Sequence, residues 1–165
     1  MAEQTPRDRL QPSLLDRLTD HAPEKQIESS DDRIISERKL KTLVQRDISW
    51  LLNSVSLASA VDLNSLPLVA DSTLNYGLRE FSGTTVSTFN PRFIEKEIVS
   101  AIKRYEPRII QSSIRIKANI DQNEMSNNAV TFELSGDLWA LPYPQPLYLK
   151  TEIDLETGNI DVTSW

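Results

Sequence analysis

Two amphipathic helical segments followed by three or four alternating strands predict an α+β domain, with the helices packed on a small, mainly antiparallel sheet. Three features carry that prediction: an apolar stripe of helical period between Leu40 and Leu52, an Asn90-Pro91 start with a proline stop at Pro107, and a switch to a two-residue period from Ile110 onward. The expected layout is a flexible N-terminal arm over 1–31 with a docking turn at 12–18, then one domain over 32–165.

The arm is polar and carries Pro6, Pro12 and Pro23, so it lacks the apolar content a packed core needs. Leu14, Leu15 and Leu18 interrupt it as one sticky face of a short helical turn, suited to docking on the chain's own domain or on a partner. The first long helix is expected over 33–53. Leu40, Leu43, Val44, Ile48, Leu51 and Leu52 form its apolar face, Trp50 widens it, and Arg46-Asp47 makes an ion pair at its rim. Residues 54–89 hold turn formers (Pro67, Asp71, Ser72, Asn75, Gly77) among many apolar residues, so they should wrap the core as packed loop or short helical turns. In Asn75-Tyr76-Gly77 the glycine supplies an unusual backbone angle.

Asn90 caps the second helix and Pro91 suits its first position; Ile94, Ile98, Ala101, Ile102 and Tyr105 share one face. Pro107 ends it by Glu106. Ile110, Ile114, Ile116, Ala118 and Ile120 then mark a first strand, basic on its outer side. Val130, Phe132 and Leu134 alternate against Thr131, Glu133 and Ser135 in a second. Leu147 to Leu155 marks a third strand with an acidic outer side, and Ile160 and Val162 a short last one. Such a sheet keeps two open edges, which are either blunted or used to take up another chain's strand.

Composition removes most catalytic chemistries. The 165 residues include no Cys, four Gly and one His, His21, which lies in the arm. That excludes disulfides and thiolate metal sites, and leaves little for a phosphate cradle or a zinc site. No metal or cofactor is implied, because carboxylates without His, Cys or a calcium-loop pattern give no ligand set. The formal net charge of −6 argues against nucleic acid. No stretch has the apolar length of a signal peptide core or a membrane span, so a cytoplasmic protein without membrane insertion is expected. Charge is uneven: residues 91–117 sum to +4 and 118–165 to −7. This implies either two surfaces for different neighbours or mutual neutralisation within one fold.

Glu106-Pro107-Arg108 stands out mechanically, since a proline stop fixes a carboxylate and a guanidinium at a helix-to-strand corner. The pair is either a local ion pair, worth ~0–1 kcal/mol if exposed, or a preset pair of charges offered to a partner.

Four motifs occur in order: Pro12–Leu18 (PSLLDRL), Arg46–Asn53 (RDISWLLN), Ser72–Leu78 (STLNYGL) and Glu106–Ile109 (EPRI), followed by the strand pair around 132–138 and 147–158. Together they resemble the TssE family, the small baseplate subunits of bacterial type VI secretion systems, similar to the lysozyme-like wedge protein of contractile phage tails. The resemblance spans about Pro12 to Gly158. It implies a non-enzymatic structural subunit that nucleates and anchors polymerisation of the contractile sheath. The implied fold is similar to the interlocking domain of sheath subunits, in which neighbouring chains complete a sheet.

The implied partners are the wedge subunits TssF, TssG and TssK and the sheath subunits TssB and TssC. Several copies would sit in a six-fold baseplate near the inner membrane. Glu106, Pro107 and Arg108 match the family's Glu-Pro-Arg motif, implicated in sheath and wedge contacts, while Leu14, Leu15 and Leu18 would dock on a baseplate subunit. Two alternatives stay open. One is a muramidase-like hydrolase with Glu106 as its acid, which Arg108 two residues on disfavours by stabilising the charged form. The other is an adaptor for another cytoplasmic assembly. Under the baseplate reading, Arg108→Ala should leave folding intact and weaken sheath recruitment.

Overall fold

In the computed structural model, residues 12–19, 23–24, 35–80, 90–119, 129–140 and 143–164 are described. The elements are α1 (Leu14–Leu18), α2 (Glu37–Leu52), α3 (Pro67–Ala70), α4 (Pro91–Tyr105), β1 (Arg115–Asn119), β2 (Ala129–Leu138), β3 (Gln145–Asp154) and β4 (Ile160–Ser164), with 3-10 turns at Leu57–Ser59 and Thr73–Asn75. The four strands form an antiparallel meander in the order β1-β2-β3-β4. Helix α2 lies over β3 and β4, α4 lies over β1, and the two helices touch. The expected α+β class is the observed one.

Helix α2 starts at Glu37 because the Ser36 side chain accepts from the Lys39 amide; residues 35 and 36 are not helical, so it starts later than expected. All six residues of its predicted face are buried, but Trp50 is 48% exposed and does not widen that face. At the other end Asn53 joins helix to sheet: its Nδ2 donates to the Ile160 carbonyl (2.7 Å) and its Oδ1 accepts from the Ile160 amide (2.9 Å). Helix α4 runs as predicted, with Asn90 accepting from the Phe93 amide and Pro91 in its first turn. Val44, Ile48, Ile98 and Ile102 meet Phe132, Leu138, Leu149 and Ile153 from the sheet's inner face, all within one buried cluster.

The strands differ from expectation in three places. β1 begins at Arg115, because Ile110–Ser113 closes a turn through the Ser113 amide and the Ile110 carbonyl (2.9 Å). Thr131, placed on the wet side of β2, is 2% exposed. The outer side of β3 is mixed rather than acidic, since exposed Tyr148 and half-buried Lys150 share it with Glu152. Ile120 and residues 81–89 lie outside the described residues.

The segment after α2 does contain short helical turns, and Leu63 and Leu78 are buried, but Leu66, Leu68 and Leu74 are exposed. Gly77 has φ +118°, and a Cβ there would lie 2.2 Å from the Ser54 carbonyl oxygen. That close approach lets Ser54 and Ser56 exchange hydrogen bonds with Leu78 (both 2.8 Å). Tyr105 fastens the same segment to the end of α4, its hydroxyl donating to the Ser72 (3.0 Å) and Asn75 (2.8 Å) carbonyls.

Candidate functional site

The corner after α4 is built from both directions. Pro107 prevents the helix from continuing, so Glu106 leaves helical geometry (φ −119°, ψ 79°) while its amide still reaches the Ile102 carbonyl. The chain then pairs with the end of β2: Ile109 bridges Leu138, and the Trp139 amide donates to the Arg108 carbonyl (2.7 Å). Backbone on both sides therefore fixes where Glu106 and Arg108 point.

From this corner the side chains form an alternating chain of charges. Glu106 accepts from the Arg108 amide (3.1 Å), from Nε (2.7 Å) and from Nη2. Arg108 Nη2 also donates to Asp47 on α2 (2.6 Å). The other Asp47 oxygen accepts from Arg46 Nε (2.9 Å) and Nη2 (2.7 Å). Arg46 then grips Asp16 of α1 with both terminal nitrogens (2.6 and 3.2 Å), and Ser13 donates to the same carboxylate. The order Glu106–Arg108–Asp47–Arg46–Asp16 places three carboxylates on two guanidinium groups.

The side chains run from 5% exposed at Glu106 to 31% at Arg46, so water screens the Glu106 end least. The Arg46 hydrogen bonds hold the Asp16 carboxyl below the usual carboxylate range, with smaller help from Ser13 and Arg108. Asp16, and then Asp47, correspondingly raise Arg46. At Arg108 burial disfavours the charge, but hydrogen bonds and attraction from Glu106 and Asp47 outweigh it and hold the guanidinium firmly protonated. Arg108 Nη1 is buried and, among the described residues, is the one such side-chain nitrogen or oxygen without a hydrogen-bond partner.

A chain of ion pairs links α1 to the Glu106–Arg108 corner, while the expected leucines lie outside it. Glu106 is not offered outward: its side chain is 5% exposed and both its oxygens are engaged by Arg108. Pro107 is exposed and Arg108 half-buried beside it. Leu14, Leu15 and Leu18 are 70%, 51% and 74% exposed, and α1 meets the domain through Asp16 instead. Asp16, Arg46 and Asp47 were not among the expected site residues, although each lies inside a quoted motif. Exposed Trp139, hydrogen-bonded to Arg108, gave no signal of its own.

As chemistry, the arrangement ties opposite charges together. Both Glu106 oxygens are taken up by Arg108. Among the described residues no group of three or more His, Cys, Asp or Glu side chains could hold a metal ion. The three carboxylates of the charge chain are spent on arginines.

The family model described as baseplate wedge protein gp25 matches residues 38–143, which span α2, α4, β1, β2 and the Glu106–Arg108 corner. This chain belongs to that family, which is also the family of TssE. Neither the comparison with curated proteins nor that with solved structures gave a match. Among the described residues, no helix is long and apolar enough to cross a membrane.

Proposed function

We propose that this chain is a non-enzymatic wedge subunit of a type VI secretion baseplate that starts and anchors polymerisation of the contractile sheath in the cytoplasm. The observation that carries the reading is the Glu106–Pro107–Arg108 corner. Its guanidinium is aimed by two carboxylates and two backbone pairings. Exposed Pro107 and the solvent-facing part of Arg108 form the proposed sheath or wedge contact, while Glu106 acts from inside by holding Arg108.

Two further features support the reading. β1 and β4 are the sheet's edges, and a strand of a neighbouring chain would extend either. The leucines of α1, in the arm over 1–31, face outward and dock on a wedge partner. TssF, TssG and TssK are the proposed wedge partners and TssB and TssC the sheath partners, with several copies of the chain per six-fold baseplate.

The test is co-expression of the tagged chain with wedge and sheath subunits. Arg108→Lys keeps the charge that Glu106 and Asp47 require but loses the forked donor geometry. It should stay folded and retain less sheath; normal sheath retention by this variant would refute the role of the corner.

A further inference from the structure

Helix α1 is oriented the opposite way from an ordinary surface helix. Such a helix buries its apolar face and leaves its charges wet. Here the Asp16 side chain is 14% exposed, while Leu14, Leu15 and Leu18 are 51–74% exposed and no residue of the helix is buried. Among the described residues, the hydrogen bonds that hold this turn to the domain run through one carboxylate, gripped by both terminal nitrogens of Arg46. Ser13, just before the helix, donates to the same carboxylate and pins it from the arm's side.

We propose that the Asp16–Arg46 pair is a latch that fixes the docking turn with its leucines outward, making Asp16 and Arg46 positioning residues for the contact with a wedge subunit. This rests on the reading that the leucines dock on that subunit. With Asp16 consumed by Arg46, the exposed charge left on the helix is Arg17, between Leu15 and Leu18. The matching occupant is therefore an apolar groove with a carboxylate on its rim, on a wedge chain of different sequence. Arg46 also holds Asp47, which holds Arg108, so the latch is continuous with the corner. A partner seated on the leucines thereby stiffens the residues that aim Arg108.

The test uses the full chain and two readouts. The first is tryptic cleavage after Arg17, followed by mass spectrometry, because a turn held on the domain resists a protease that a released turn does not. Asp16→Asn keeps the shape and removes the charge. It should speed this cleavage about tenfold with little change in melting temperature, and Asp16→Glu should recover part of the protection. The second is retention on immobilised wedge subunits, which Asp16→Asn should weaken about tenfold while all three leucines stay in place.

Unchanged cleavage in Asp16→Asn overturns the latch. Faster cleavage with unchanged retention overturns its role in docking. Full retention by the double variant Leu14→Asp/Leu15→Asp refutes the docking reading itself, whatever the latch does. A concentration-dependent dimer that this double variant abolishes overturns the choice of occupant, because the groove would then lie on a second copy.

Discussion

Replacing Arg108 by alanine tests the corner through folding as well as recruitment. The substitution removes the cation that faces Glu106, whose side chain is 5% exposed, and one of the two that face Asp47. Asp47 keeps Arg46, so its loss is small. Glu106 keeps no cation and is left as a buried carboxylate. Removing one partner of a buried pair costs ~3–5 kcal/mol. Arg108 itself is 23% exposed and water will enter the space it leaves, so about 2–3 kcal/mol is the figure here.

For a chain of this length that lowers the melting temperature by roughly 5–10 °C. Calorimetry on four chains decides the matter: the parent, Arg108→Ala, Glu106→Gln and the double variant. The double variant should recover part of the loss, because it no longer buries a lone charge. An Arg108→Ala chain that melts with the parent, or a double variant that melts as far below the parent as the two single losses added, would refute the reasoning.

Other perturbations follow from the same contacts. Asn53→Ala removes both bonds to Ile160 and should cost about 1–3 kcal/mol in chemical denaturation. Gly77→Ala places a Cβ 2.2 Å from the Ser54 carbonyl at a φ of +118°, so the soluble yield and melting temperature should fall sharply. Leu14→Asp with Leu15→Asp should leave the melting temperature within about 2 °C of the parent, since both side chains are more than half exposed. The Asp16 carboxyl is held below its ordinary 3.8, so its stabilising contact is fully present above that value and is lost as pH falls through the lowered one. Arg46 stacks 4.6 Å over Trp50, so Trp50 fluorescence should stay level from pH 7 to about 4 and change only in stronger acid.

Most of the fold was legible because its signals are periodic and local. The α2 stripe, the Asn90-Pro91 start, the Pro107 stop and the alternation of β2 and β3 each follow from short-range rules. What escaped depends on distance in sequence. Trp50 reads as one more apolar residue on the stripe, yet it lies outside, beneath the Arg46 guanidinium. Ile110 alternates with Ile114, but a turn intervenes before β1.

The corner was legible as a mechanical device and its partners were not. Asp47 is 61 residues from Arg108, and Asp16 is 30 from Arg46. No periodicity links such positions. The motifs containing them were visible one by one, and only the fold shows that they touch.

The central claim is that this baseplate-family chain assembles with wedge subunits and recruits sheath through its charge-locked corner. The most direct test is co-purification of the tagged full-length chain expressed with those subunits, beside Arg108→Lys and the Glu106→Gln/Arg108→Ala double variant. The account predicts that the parent retains wedge and sheath, and that both variants remain folded and keep the wedge while losing sheath. A parent that retains neither, or variants that hold sheath as well as the parent does, would contradict it.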